Sequence, residues 1–143
     1  ADPTAQEACT QLATQNNVGH RVKIGGKLTH ADFDICRAQP TTILCNVGQA
    51  TESLLDPARA KGLARADVLV TVDEAATPGL TGTLTTRFAA THHATAVPRA
   101  FSSASLPPWM QALSDIDRTV ALCEGRSGQT VLLSLQRKAH RAA

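Results

Sequence analysis

The sequence contains no tyrosine, and its only tryptophan is Trp109. Tyrosine and tryptophan are the side chains that most often anchor a protein interface, so candidates for a binding hot spot are few. The segment around Trp109 is the main one, because Pro107 and Pro108 hold its backbone stiff and reduce the entropy lost on binding. We therefore predict binding residues at Leu106, Pro108, Trp109 and Met110, with Arg126 in a second exposed turn.

Long apolar runs and a strong charge of one sign are also absent. The uninterrupted apolar stretches are only a few residues long, whereas crossing a bilayer takes about 20. The formal net charge of +2 is too small for the basic field that a nucleic-acid-binding protein uses. The sequence therefore predicts no membrane span and no nucleic-acid partner.

The motifs of nucleotide binding and of serine hydrolases are missing as well. The sequence has no glycine-rich phosphate loop, no dinucleotide fingerprint and no Gly-x-Ser-x-Gly elbow. His30, Asp32 and Asp34 would share one face of a strand and could approach a metal, but a solvated face explains them more simply. The adjacent pair Asp73 and Glu74 is a still weaker acid–base pattern, because adjacent side chains diverge. We predict no metal site, no cofactor and no catalytic activity.

The four cysteines include no Cys-x-x-Cys pair, which excludes a zinc ribbon and a thioredoxin-like motif. An even number of cysteines favours two disulfides, and the alternative is four buried thiols. The preferred pairing joins Cys36 to Cys45 across a turn, and Cys9 to Cys123. These bridges, with an opening Ala1-Asp2-Pro3 typical of a processed terminus, predict a secreted, cell-surface or periplasmic protein.

Three short helices are predicted. Thr4 and Glu7 have capping-box spacing, and the stripe that follows would bury Cys9. Asp56 and Pro57 begin a helix that runs to about residue 62. The third follows Pro107 and Pro108 and would place Trp109, Leu113 and Ile116 at helical spacing toward the core.

Strands account for most of the remaining patterns. The clearest is 66–73, which pairs with 81–90 after a turn at 77–79. Gly25-Gly26 favours a hairpin, and 118–124 with 129–136 would form a closing one. Residues 31–36 alternate like a strand that turns at Pro40 into 41–47. Alternatively, Thr29 and Asp32 cap a short helix there. His92 and His93 are interpreted as surface histidines.

These elements predict an α+β fold: an antiparallel sheet of about five to seven strands with two or three short helices on it, stapled by disulfides. A β-sandwich decorated by helices is the alternative. The chain of 143 residues is 43% hydrophobic and 18% charged, which fits one globular domain over 1–143. Residues 137–143 would form a frayed basic tail that could contact an anionic surface.

The predicted function is that of a non-catalytic binding module with a protein partner, such as a surface antigen, adhesin or receptor-binding domain. An inhibitor of a hydrolase that inserts the Pro107-Pro108 segment or the Arg126 turn is the first alternative. A metal-dependent enzyme that uses His30, Asp32 and Asp34 is the second.

Overall fold

The computed structural model describes residues 2–99, 107–123 and 128–138, and of residues 122 and 123 the backbone alone. The chain divides after Asp32 into two compact units. The described α-helices are α1 Pro3–Gln15, α2 Ile35–Ala38, α3 Thr51–Leu54, α4 Leu80–Phe88 and α5 Asp115–Cys123. The described strands are β1 Thr41–Cys45, β2 Ala66–Asp73, β3 His92–Pro98 and β4 Thr130–Arg137.

In the first unit, α1 starts two residues after the beginning of the sequence. Asp2 is its N-cap, and its carboxylate accepts a hydrogen bond from the Thr4 amide at 3.0 Å. Cys9 lies on this helix but is exposed, so the prediction that it points into a core is wrong. The predicted hairpin at Gly25-Gly26 is wrong too, because described residues 2–32 contain no strand.

The stretch predicted as strand 31–36 is helical. A 3₁₀ helix, His30–Asp34, runs directly into α2. The Asp32 carboxylate accepts hydrogen bonds from the amide and the hydroxyl of Thr29 at 2.6 and 2.7 Å. A bond from the N-cap amide to a carboxylate three residues later is one half of a capping box. The alternative capped by Thr29 and Asp32 is therefore the correct one.

The second unit is built on one mixed sheet with the strand order β1-β2-β4-β3. β1 and β2 are parallel, with Ile43 opposite Val68. β4 lies between β2 and β3 and is antiparallel to both. The predicted sheet of five to seven antiparallel strands is therefore wrong. A parallel pair needs a long crossover connection, and residues 46–65 provide it with α3 and short 3₁₀ turns.

One face of the sheet carries the core, and the other is open. By register, Ile43, Val68 and Leu135 share the covered face, where α4 packs against β2, β3 and β4. On the opposite face Leu44 is 77% exposed, and Leu132 is exposed as well. The described part of the second unit is thus a two-layer arrangement, helices on one side of the sheet.

Helix α4 replaces the predicted strand 81–90. Leu80, Leu84 and Phe88 recur every four residues and are all buried. The threonines suggested a strand, but their hydroxyls fit a helix. The Thr86 hydroxyl donates to the Gly82 carbonyl at 2.9 Å, four residues back.

Helix α5 replaces the first half of the predicted closing hairpin. Ser114 and Asp117 cap its start: the Ser114 oxygen accepts from the Asp117 amide at 3.2 Å, and its hydroxyl donates to the Asp117 carboxylate at 2.7 Å. The second half of the hairpin is confirmed as β4, which is an interior strand of the sheet.

The disulfide prediction is contradicted. Cys36 on α2 and Cys45 on β1 are both buried in the core cluster, and both are free. Cys9 is free and exposed. The proposed bridge between Cys36 and Cys45 required two strands facing across a turn, and the helical conformation of 35–38 removes that geometry.

None of the helices within the described ranges is long and apolar enough to cross a bilayer. The prediction of no membrane span agrees with this finding.

Candidate protein-binding site

The segment 107–123 presents the only tryptophan of the chain to solvent. A 3₁₀ helix, Pro108–Ala112, begins after Pro107, whose backbone is extended at φ −54° and ψ 146°. The Met110 amide donates to the Pro107 carbonyl at 2.9 Å and closes the turn. Two consecutive prolines and this hydrogen bond fix the backbone on which Trp109 sits.

Trp109 and Met110 point in different directions. Met110 is 8% exposed and anchors the turn, whereas Trp109 is 68% exposed. The prediction that Trp109 starts a core helix is therefore wrong, and its placement fits a surface anchor. Pro108 is exposed beside it. Leu106 and Arg126, the other two predicted binding residues, lie outside the described part of the chain.

Helix α5 presents two further apolar side chains to solvent. Ile116 is 76% exposed, and Val120, one turn later on the same face, is exposed as well. With Asp115 and Thr119 they line a shallow groove of about 250 Å³. The four-residue spacing of Ile116 and Val120 was the available signal, but Ile116 was predicted to face the core and Val120 to lie in a strand, and both predictions are wrong.

Two of the residues considered for a metal site, Asp32 and Asp34, make contacts with neighbouring residues in the sequence. Hydrogen bonds from Thr29, its amide first and its hydroxyl second, lower the pKa of Asp32. Asp34 lies 3.8 Å from the Arg37 guanidinium. Across the residues that the structure describes, no group of three or more histidine, cysteine, aspartate or glutamate side chains could hold a metal ion.

The carboxylates of Asp73 and Glu74 both bind backbone amides. Asp73 accepts from the amides of Ala75 and Ala76, each at 3.1 Å, in the turn after β2. Glu74 accepts from the amides of Gly79 and Thr81 at 2.6 and 2.8 Å at the start of α4. The proximity of Thr81, whose amide donates to this carboxylate, is the main cause that lowers the pKa of Glu74. These contacts are those of turn and helix caps.

The two adjacent histidines have different surroundings. His93 is exposed, but His92 is 2% exposed, so the prediction of a surface histidine is wrong for His92. Its ring nitrogens contact the Thr91 hydroxyl and the Ala66 carbonyl, each at 2.8 Å. The buried imidazole is hydrogen-bonded at both ends and belongs to the core of the second unit.

The predicted basic tail begins in the sheet. Arg137 is the last residue of β4, and its amide donates to the Asp67 carboxylate at 2.8 Å. The Lys138 ammonium donates to the Ala89 carbonyl at 2.6 Å. The remainder of the tail, 139–143, lies outside the described residues.

Comparison with family models, with curated proteins and with solved structures finds no match to this chain.

Proposed function

We propose that this protein is a non-catalytic binding module that recognises a protein partner through Trp109. The observation that carries the proposal is the exposure of this indole, 68%, directly beside a buried methionine on a proline-stiffened turn. A large apolar ring held in water is unfavourable for the isolated chain, and burial against a partner removes that penalty.

The backbone under Trp109 is organised before any partner arrives. Pro107 and Pro108 restrict it, and the side chain of Met110 is buried. Binding through such a segment orders few additional dihedral angles, so more of the buried apolar area appears as affinity. An indole on a stiff support is the side chain most often found at the centre of an interface hot spot.

Ile116 and Val120 supply a second apolar contact next in the sequence. They are exposed one turn apart on α5, and a helix recognised in this way lays its apolar residues into a groove of the partner. The partner that fits is a protein with an apolar pocket for the indole and a hydrophobic groove for the apolar side chains of α5. That the module acts at a cell surface, in the periplasm or as a secreted protein stays a prediction, and the disulfide argument for it no longer applies.

Two alternatives are tested with the same protein. Inhibition of a hydrolase would use the same Pro107-Pro108 segment, and a panel of proteases and lysozymes measures it directly. A metal-dependent enzyme would need His30, Asp32 and Asp34 to gather around an ion, and their local hydrogen bonds and ion pair do not favour this.

The experiment compares three immobilised proteins: the wild type, Trp109→Ala and Leu44→Ala. Leu44 is a matched control because it is another exposed large apolar residue, located on the open face of the sheet. A protein captured from extracts is identified by mass spectrometry, purified, and its Kd measured for each variant. We expect Trp109→Ala to weaken binding about 30-fold or more, as for a hot-spot residue of at least about 2 kcal/mol.

Leu44→Ala should change Kd by less than about threefold, because a single exposed contact outside the hot spot contributes little. If both variants lose affinity equally, or if only Leu44→Ala loses affinity, Trp109 is not the centre of the binding surface. Thermal unfolding curves that coincide for the three proteins would show that the differences in Kd do not come from a loss of folding.

A further inference from the structure

Three arginines of the second unit line one depression at an end of the sheet. Arg37 follows the core cysteine of α2, Arg65 precedes β2, and Arg137 ends β4. The depression has a volume of about 200 Å³, and its other lining residues are Cys36, Ala38, Gln39 and Pro40. No acidic residue is found among its described lining residues.

Close backbone packing brings together the two elements that carry Arg37 and Arg65. The 3₁₀ helix Lys61–Arg65 packs against α2, and Gly62 is the contact point. A Cβ at Gly62 would lie 1.8 Å from the Phe33 carbonyl oxygen, so only glycine permits this approach. Arg65, three residues beyond Gly62, thereby shares a wall with Arg37.

The third arginine is oriented by a carboxylate. The backbone amide of Arg137 donates to an Asp67 carboxylate oxygen at 2.8 Å, and its Nε donates to the same oxygen at 3.4 Å. The terminal nitrogens of the Arg137 guanidinium are not engaged by that contact, and Arg137 lines the depression. A guanidinium held through Nε can still donate two parallel hydrogen bonds to an anion.

The local charges leave a positive excess. Arg37 lies 3.8 Å from Asp34 with both side chains 64% exposed, which is a weak, solvated pair. Arg137 is paired with Asp67. Arg65 has no carboxylate partner within the part of the chain that the structure describes. Two carboxylates therefore face three guanidinium groups, and neither carboxylate lines the depression.

We propose that this depression binds a phosphate-sized oxyanion, either as the free ion or as the phosphoryl end of a small phosphomonoester. Planar guanidinium groups match the paired oxygens of phosphate and sulfate better than the point charge of lysine does. The volume of about 200 Å³ is below the roughly 300 to 1,000 Å³ of sites for drug-sized ligands. The ligand that fits this volume is therefore a small anion. It uses none of the residues of the proposed protein-binding segment.

The test is a titration of the purified full chain with inorganic phosphate, with sodium chloride adjusted to hold the ionic strength constant. Isothermal calorimetry and thermal unfolding report binding to the folded chain. We expect phosphate to raise the melting temperature more than chloride does, and Arg65→Ala to weaken phosphate binding about tenfold or more. A parallel titration with O-phosphoserine distinguishes the free ion from the phosphomonoester.

Arg59→Ala is the matched control, because Arg59 is an exposed arginine and its loss removes the same charge. It should leave phosphate binding within about twofold, since Arg59 is not among the residues that line the depression and the charge of an exposed side chain is screened. Arg65→Lys keeps the charge but loses the forked donor, and we expect it to bind phosphate more weakly than the wild type. If phosphate and O-phosphoserine act no differently from chloride, or if Arg59→Ala weakens binding as much as Arg65→Ala, the proposal is wrong.

Discussion

The Nε2 atom of His92 lies 2.8 Å from the carbonyl oxygen of Ala66, and this contact joins the start of β3 to the start of β2 across the strand between them. A carbonyl oxygen only accepts, so Nε2 carries the proton and Nδ1 is left to accept from the Thr91 hydroxyl. The ring also meets Phe88 edge to face, with centroids 5.0 Å apart. The imidazole therefore links the edge strand to both layers of the second unit.

Replacing His92 by alanine should destabilise the fold by about 2 to 4 kcal/mol, because it leaves a cavity and an unpaired Ala66 carbonyl. His93→Ala, at the exposed neighbouring position, should change stability by less than about 0.5 kcal/mol. Urea unfolding of the two variants measures the difference. Equal midpoints would show that the buried hydrogen bonds of His92 do not stabilise the sheet.

Gly62 should tolerate no side chain. Gly62→Ala places a Cβ 1.8 Å from the Phe33 carbonyl oxygen and forces the backbones apart, so we expect a loss of about 2 kcal/mol or more. Gly82→Ala is the control: nothing lies within 4 Å of a Cβ there, and alanine is the better helix former by about 1 kcal/mol. Thermal unfolding should therefore shift in opposite directions for the two variants. A Gly62→Ala protein as stable as the wild type would contradict this packing.

Glu74 should make α4 sensitive to acid. Its pKa in the folded chain is below the ordinary value of 4.5, chiefly because of Thr81, whose amide donates to the carboxylate. The stabilisation by Glu74 is therefore fully present above pH 4.5 and is lost as the pH falls through the lower folded pKa. Glu74→Ala should cost about 1 kcal/mol at neutral pH, as for a lost helix cap.

Measuring stability at several pH values tests whether the charge of Glu74 is responsible for this stabilisation. Urea unfolding of the wild type and Glu74→Ala between pH 7 and pH 3 should give curves that converge toward the acid end. A difference that stays constant across this range would show that the charge of the carboxylate does not stabilise α4.

Trp109 should behave as a solvated indole in the free protein. Since it is the only tryptophan, its fluorescence reports this position alone. We expect a red-shifted emission that acrylamide quenches readily, and thermal stability within about 0.5 kcal/mol of the wild type for Trp109→Ala. Met110→Ala should instead cost about 2 kcal/mol or more, because Met110 is buried. A blue-shifted, protected emission would mean that the indole is packed inside the chain.

The predictions from the sequence were most accurate where buried residues alternate regularly with less buried ones along a strand. Val68, Val70 and Val72 alternate in β2 and are all buried, as expected, and the turn at Thr77-Pro78-Gly79 is confirmed, with Gly79 at φ 80°. β1 and β4 were also found. That β4 lies between β2 and β3 depends on which strands pair over a long sequence distance, and local patterns carry little of that information.

The wrong helix and strand predictions share a physical cause. The apolar residues of a short segment can fit both the two-residue period of a strand and the 3.6-residue period of a helix. Leu84, Thr86 and Phe88 alternate like a strand, but Leu80, Leu84 and Phe88 also repeat every four residues, and packing on the sheet selected the helix. The prediction of two disulfides was wrong for a different reason. Their even number favoured bridges, yet Cys36 and Cys45 are buried as ordinary small apolar side chains.

For the candidate site, the sequence predicted the proline-stiffened segment and its tryptophan but not the direction of the side chains. Trp109 was expected in a core helix, whereas Met110 is the residue that turns inward. The direction depends on the 3₁₀ geometry of 108–112, which a count of helical spacing does not reveal. The arginine depression combines residues from three separate elements, so no local motif indicates it.

The most direct test of the account is the emission of Trp109 in the complex with a purified captured partner that contributes no tryptophan of its own or whose tryptophans are substituted. We predict a blue shift and protection from acrylamide on binding, and a Kd about 30-fold weaker for Trp109→Ala than for Leu44→Ala. An emission that stays red-shifted in a saturated complex, or an unchanged Kd for Trp109→Ala, would contradict the claim that this residue is the recognition anchor.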